Sequence, residues 1–367
     1  MISTNYAVPP GSYLEEWIDE ERLSQQKVAD LLGTSRKFVN ELVNGHAPVT
    51  SETAVKLERV VGIAAETWLR YEASYRADRA RIADAENLAA HAADIHPKAA
   101  KYLRQFGVTK ATKTNPGGLV ADFLAFHRCG TWEAFEHQVE QARSGDFALA
   151  ALKERGSDLE ATLLSVWLRA AEMTEIYERG RRFNFSSERL SELLPRLRER
   201  VSTPDRTMLD DVANLLEAAG VVFIVREAPE GLPLRGMTRW IDKRVPVIQQ
   251  TGRWVKDGFV IWALFHEIGH VLNDPRGTTV FEYTTEKHRT DAAEKMANEF
   301  ARDQLLGPQG LTPFKNLHHN RDIRRVAQEV GISPGLAVYL MHRSRYLDYS
   351  FGNSLFVDVT GSIDKSP

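Results

Sequence analysis

The sequence predicts a mainly α protein with a small β-sheet, spread over more than one domain. Three observations carry that expectation. The chain has 367 residues, more than one hydrophobic core usually serves. Helical periodicity punctuated by turn signals runs through most of it, with no internal repeat. Strong β character is confined to one stretch, from Val221 to Gln249. In chain order, residues 1–72 read as several short helices and residues 73–200 as a helical middle region. Within that region helices are expected at 119–126 and 132–142, and a long amphipathic one at 159–179 burying Leu163, Val166, Trp167, Ala170 and Ala171. A boundary near Pro204 precedes a helix over 207–219, which Gly220 closes. Strands follow at 221–225, 237–241 and 245–249, the last two joined by a tight turn at Asp242-Lys243. From Asp257 the pattern returns to helices, through Leu306 and again over 322–347. The C-terminal division is thus residues 201–350, and residues 351–367 are a polar tail expected to fray.

Composition is globular, with 43% hydrophobic and 26% charged residues. The single cysteine, Cys129, excludes an internal disulfide framework and a cysteine-based zinc cluster, and fits a reducing cytoplasm. No charged start followed by an apolar run opens the chain, and the most apolar stretch, from Phe259 to Leu272, is too short to span a bilayer. A soluble, cytoplasmic protein with no membrane partner is expected. The net charge of -3 argues against coating nucleic acid by bulk electrostatics but leaves a local patch open.

His266-Glu267-Ile268-Gly269-His270 matches H-E-x-x-H. Residues four apart share a helix face, so both imidazoles aim at one ion, and Glu267 stands beside them as a general base. The flanking Phe259 to Phe265, Ile268, Val271 and Leu272 make the helix apolar nearly all round, hence buried. Buried His and Glu need partners, and a metal supplies one; satisfied core histidines are the bland alternative. Catalytic zinc takes three protein ligands, so a third is expected on a later helix. Glu294 is placed first, at the edge of an apolar stripe of Ala293, Met296, Ala297, Phe300, Ala301 and Leu305, while Asp291, His288 and Glu299 stay open. Zn2+ in such a site supports peptide-bond hydrolysis with Glu267 as proton carrier. An edge strand beside the metal helix is expected to hold an extended substrate. An oxyanion partner is sought among Tyr283, Tyr339, His318, His319 and His342.

Residues 24–45 read as two short helices around a tight turn at Gly33, with Ala29 small where they cross, Ser35 capping the second, and Val28, Leu31, Leu32, Val39 and Leu42 forming a shared core. Gln25 on the first helix, Ser35 at the cap and Arg36, Lys37, Asn40 and Asn44 on the second offer a donor-rich face for a major groove. A hairpin used only for packing or dimerisation is the competing reading. Residues 1–70 hold seven Lys and Arg against ten Asp and Glu, with Glu15, Glu16, Asp19, Glu20 and Glu21 clustered ahead of the motif. Non-specific affinity should therefore be weak.

From Pro9-Pro10-Gly11 through the motif to Asn44-Gly45, Val49-Thr50, Ala54 to Leu57 and Trp68-Leu69, the chain resembles the antitoxin-type branch of the Xre/Cro repressor family. The later region resembles the ImmA/IrrE metallopeptidases through Leu264 to His270, Glu294 to Ala301, Leu305 to Pro308 and Gly331 to Val338. The second resemblance implies a zincin-like α+β fold with His266, His270 and Glu294 as ligands, Glu267 as catalytic glutamate, and a transcriptional repressor as substrate. Such fusions are typically bacterial or phage regulators. The resulting expectation is a regulator that binds a double-stranded DNA operator, as a homodimer if it reads two half-sites, and whose zinc endopeptidase cleaves a regulatory protein or its own chain. The alternative is an antitoxin-like autorepressor whose metal site is sensory or structural; a peptidase whose N-terminal helices bind only protein is a third.

Overall fold

Helix α1 (Gly11–Glu20) is followed by three helices that each begin on a hydroxyl. Ser24, Ser35 and Thr50 accept hydrogen bonds from the backbone N–H three residues on, at Lys27 (3.2 Å), Phe38 (3.1 Å) and Thr53 (3.2 Å). These caps start α2 (Gln25–Leu32), α3 (Arg36–Val43) and α4 (Ser51–Val61). The computed structural model describes residues 6–145, 158–252, 256–283 and 292–360. It divides into two compact units, Met1–Ala92 with Thr112–Ala121, and Ala93–Ala111 with Asp122–Pro367. The chain is mostly helical with one small mixed sheet, as the sequence predicts.

The first unit closes over Leu14, Val28, Ala29, Leu32, Val39, Leu42, Leu57 and Trp68. Leu31, expected in that core, is 48% exposed. At about 100° per residue, positions 28, 29 and 32 form one stripe and position 31 lies about 100° from its centre. The expected division at residue 72 falls inside α5 (Ala65–Leu88). There Glu72 accepts a hydrogen bond from Val49 N at 3.1 Å and the Tyr75 hydroxyl donates to Gly45 O at 3.4 Å. The helix runs past residue 72 because Glu72 and Tyr75 brace the loop after α3.

The second unit contains α6 (Pro97–Gln105), the end of α7 (Pro116–His127), α8 (Trp132–Gly145), α9 (Asp158–Glu172), α10 (Glu175–Gly180), α11 (Ser187–Ser202) and α12 (Met208–Ala218). The long helix expected over 159–179 is two helices, because the Thr174 hydroxyl accepts from Tyr177 N and restarts it as a cap. Strands β1 (Val222–Arg226), β2 (Leu234–Ile241), β3 (Val245–Thr251) and β4 (Val280–Tyr283) lie in the order β1-β3-β2-β4, with β1 and β3 parallel and the other pairs antiparallel. Asp242 and Lys243 turn the chain between β2 and β3 with φ of 50° and 54°. Strand β4 was not expected after Asp257; four residues are too few for alternation to show.

The sheet is covered on both faces. Phe223, Val225 and Ile248 join the core of α11, α12 and α13 (Asp257–Asn273), whereas Val222, Ile224, Val245 and Val247 pack with Ala171 and Tyr177. A doubly covered sheet buries both faces of its strands, so β1 reads as a near-continuous apolar run, while the central strands β2 and β3 also bury polar residues, among them Thr238, Arg239, Gln249 and Gln250. The expected division at residue 200 lies inside α11, whose Leu190, Leu194, Leu197 and Val201 share one core with α13. The remaining helices are α14 (Ala292–Leu306), α15 (Asn320–Val330) and α16 (Pro334–Arg343). The C-terminal segment does not fray as expected up to residue 360. Val359 is buried, and Val357 exchanges two backbone-level hydrogen bonds with Asp257, N to Oδ1 and O from N, both 2.9 Å. Ser333 Oγ donates to Asp257 Oδ2 at 2.6 Å, so one buried carboxylate ties the start of α13 to α16 and to the tail. Residues 361–367 lie outside the described residues.

Candidate functional site

Helix α13 is buried from Asp257 to Val271 except at Phe259, as its all-round apolar pattern predicts. Its two imidazoles meet: His266 Nε2 and His270 Nε2 are 3.1 Å apart. Glu294 on α14 brings Oε2 to 3.4 Å from His266 Nε2 and Oε1 to 3.4 Å from His270 Nε2. The sequence ranked Glu294 first, and the helix shows why it reaches inward. Its position lies about 20° from the centre of the buried stripe Ala297, Ala301 and Leu305, whereas Met296, expected in that stripe, lies about 140° away and is 48% exposed. Glu299 points elsewhere, 3.9 Å from Lys295. His288 and Asp291 lie outside the described residues.

The crossing of α13 and α14 depends on Gly269, between the two histidines. A Cβ there would stand 3.1 Å from both Ala297 Cα and Phe300 Cδ1, tighter than packed carbons normally approach. Gly269→Val should therefore push α14 outward and carry Glu294 with it. The expected loss is about 1–3 kcal/mol of stability with weaker metal binding, read by thermal unfolding and by competition with a chromogenic chelator.

The donor set fits a divalent metal. Asp274 Oδ2 lies 2.8 Å from His270 Nδ1 and accepts that N–H, which orients the ring with Nε2 toward His266 and Glu294. The ligand atoms of His266, His270 and Glu294 all lie within 4.8 Å of one another. Burial pushes His270 down, but hydrogen bonds to Glu294 and Asp274 and the charge of Glu267 override it and hold the ring up at about 9. Two imidazole nitrogens and one carboxylate are donors of the kind that bind divalent transition metals.

Glu267 is fully buried, and burial pushes its carboxyl up to about 7 against the pull of His270 and His266. Thr238 Oγ1 donates to its Oε2 at 2.6 Å, while Oε1 has no hydrogen-bond partner among the described residues. Of the oxyanion candidates, Tyr339 is buried beside Trp262 and takes a hydrogen bond from Arg343 Nη1 at 3.1 Å. His342 lies within hydrogen-bond distance of Phe351 O instead, at 2.9 Å, and His318 and His319 are exposed. Tyr283 ends β4, and its side chain lies outside the described residues. Strand β4 stands last in the sheet order, next to β2.

Asp274 and Thr238 were missed in the sequence. Asp274 had a usable signal, since it follows His270 by four residues, one turn on, where a carboxylate can meet the second ring nitrogen. Thr238 lies 29 residues upstream of Glu267, and no local spacing connects them.

In the first unit, Ser35, Arg36, Lys37, Asn40 and Asn44 are all exposed and Gln25 is half-buried. Ser35 serves as the cap of α3. Asn44 Nδ2 donates to Asn40 O at 2.7 Å and to Asn40 Oδ1 at 3.2 Å, fixing the two amides against each other. Lys37 makes only a loose exposed contact with Glu41, 3.7 Å. With Gly33 at φ 61° turning α2 into α3, this is the geometry of a recognition-helix motif. Residues 14–68 match the family model for the helix-turn-helix. That match supports a DNA-binding transcriptional regulator. The chain is also similar to virulence-associated protein I of Dichelobacter nodosus, 34% identical over 70 residues, which are 19% of this chain and 65% of that protein. It thus spans just under two thirds of that relative's length. No solved structure matches the chain significantly. Among the described residues, no helix is long and apolar enough to cross a membrane.

Proposed function

We propose that this regulator carries a zinc-dependent endopeptidase centre that cleaves a regulatory protein, in the first instance a repressor, or its own chain. The observation that carries the reading is the convergence of His266, His270 and Glu294 with Glu267 held immediately beside them. The resemblance to the ImmA/IrrE metallopeptidases supports the same reading. A bound zinc ion supplies Lewis-acid polarisation of a peptide carbonyl and makes water more acidic. Glu267 takes the proton from the attacking water and returns it to the leaving amine; its Oε1, buried without a partner, is the oxygen open to that proton. The helix-turn-helix brings the chain to double-stranded DNA, and a homodimer reading two half-sites fits such a motif.

Metal analysis of the purified protein is expected to give one zinc per chain. Glu267→Gln should keep that zinc, lose cleavage by at least about a thousandfold, and retain the uncleaved partner in a pull-down. Unchanged cleavage by Glu267→Gln would overturn the mechanism. Intact regulation in the same variant would replace proteolysis by an autorepressor with a sensory metal site.

A further inference from the structure

We infer that Thr238 is a positioning residue for Glu267, fixing which carboxylate oxygen is free and holding the side chain away from the metal ligands. The inference rests on the metal-centre reading above. Thr238 sits in the middle of β2, paired with Ile248 of β3 on one side and Val280 of β4 on the other, so its backbone is pinned from both directions. Its side chain is β-branched and buried, with little rotamer freedom. The hydroxyl is therefore a fixed donor, and its 2.6 Å bond to Oε2 is short enough to be a strong one.

Glu267 needs such an anchor. It is adjacent to one ligand and three residues from the other, on a fully buried stretch, with three rotatable bonds of its own. An unanchored carboxylate of that reach next to a cation site would swing onto the ion and cease to act as a base. Two residues before Thr238, on the same face of β2, Gly236 does the complementary thing. A Cβ on Gly236 would lie 3.2 Å from Gln249 O and 3.6 Å from Glu267 Oε1, so glycine keeps an extra carbon from being wedged between β3 and the oxygen that Thr238 does not hold. One strand thus holds one oxygen of the carboxylate and clears room beside the other.

The test compares Thr238→Val, which keeps the shape and removes the hydroxyl, with Thr238→Ser, which keeps the hydroxyl. With cobalt(II) as the probe ion in the full chain, Thr238→Val should change the visible absorption spectrum as the freed carboxylate joins the ion, and Thr238→Ser should match wild type. In a Glu267→Ala background, Thr238→Val should have no further effect. Against the cleaved protein, Thr238→Val should lower kcat by about 10- to 100-fold with KM unchanged, and Thr238→Ser should restore most of it. A wild-type cobalt spectrum and kcat in Thr238→Val would overturn the inference, as would a loss that Thr238→Ser fails to rescue. Failure of the proteolytic reading shows separately, as a wild-type chain that binds cobalt and cleaves nothing, and the cobalt comparison still decides the role of Thr238.

Discussion

Glu294→Ala is expected to yield a folded protein that no longer retains zinc through dialysis, and Asp274→Asn one that retains it about 10- to 100-fold more weakly. The two differ because they act at different ranges. Glu294 presents its own oxygens to both histidine Nε2 atoms, so truncation removes a donor and leaves the imidazoles with no anionic partner on that side. Asp274 touches only the far nitrogen of His270, so its loss frees the ring to rotate or change tautomer without removing a ligand. Glu299→Ala, on the same helix but paired with Lys295, should bind zinc as wild type does. Zinc bound there would also couple to folding: at a thousandfold excess over Kd, binding to the native state alone contributes about 4 kcal/mol. The wild-type chain should therefore melt higher with zinc than with a chelator, and Glu294→Ala should melt at one temperature in both. Isothermal titration and thermal unfolding check the series. Zinc affinity unchanged in Glu294→Ala would move the third ligand elsewhere and undo the site.

What the sequence made legible follows the range of the interactions. His266, Glu267 and His270 lie within one turn and a half of a single helix, so their convergence is a property of helix geometry alone. Glu294 was reachable because α14 carries its own apolar stripe, and a carboxylate on that stripe must face the core. The cap Ser35 acts three residues away, and the turn at Asp242-Lys243 is equally local. Long-range features were not legible. The bond from Thr238 depends on where β2 lands against α13, and the hold of the C-terminal segment on Asp257 spans 100 residues. The expected division points at residues 72 and 200 fall inside helices α5 and α11, since a helix boundary is set by caps and a unit boundary by which core a helix serves.

Arg36→Ala and Asn40→Ala are each expected to lower affinity for a selected operator by about 10- to 100-fold, the cost of one lost base-edge contact. Lys37→Ala should act differently, weakening binding to all duplexes alike and reducing the slope of log K against log salt by about 0.9. Lys37 is well exposed and its 3.7 Å contact with Glu41 is loose, so its charge is available to a phosphate at little cost. Asn40 is held more tightly. Asn44 Nδ2 donates to its Oδ1, which leaves the Asn40 Nδ2 as the donor and sets its direction before DNA arrives. Asn44→Ala should therefore weaken operator binding chiefly by loosening Asn40, and the double variant with Asn40→Ala should cost less than the sum of the two. The acidic residues of α1, exposed at Glu15, Glu16, Asp19 and Glu20, add no phosphate contact and keep the non-specific term small. The ratio of operator to random-duplex affinity should accordingly be high even where the absolute affinity is modest. An operator obtained by selection from random duplexes, titrated by fluorescence anisotropy at several salt concentrations, measures all of these. Equal affinity of wild type and Arg36→Ala across that series would show that α3 is not the recognition element and return the motif to packing.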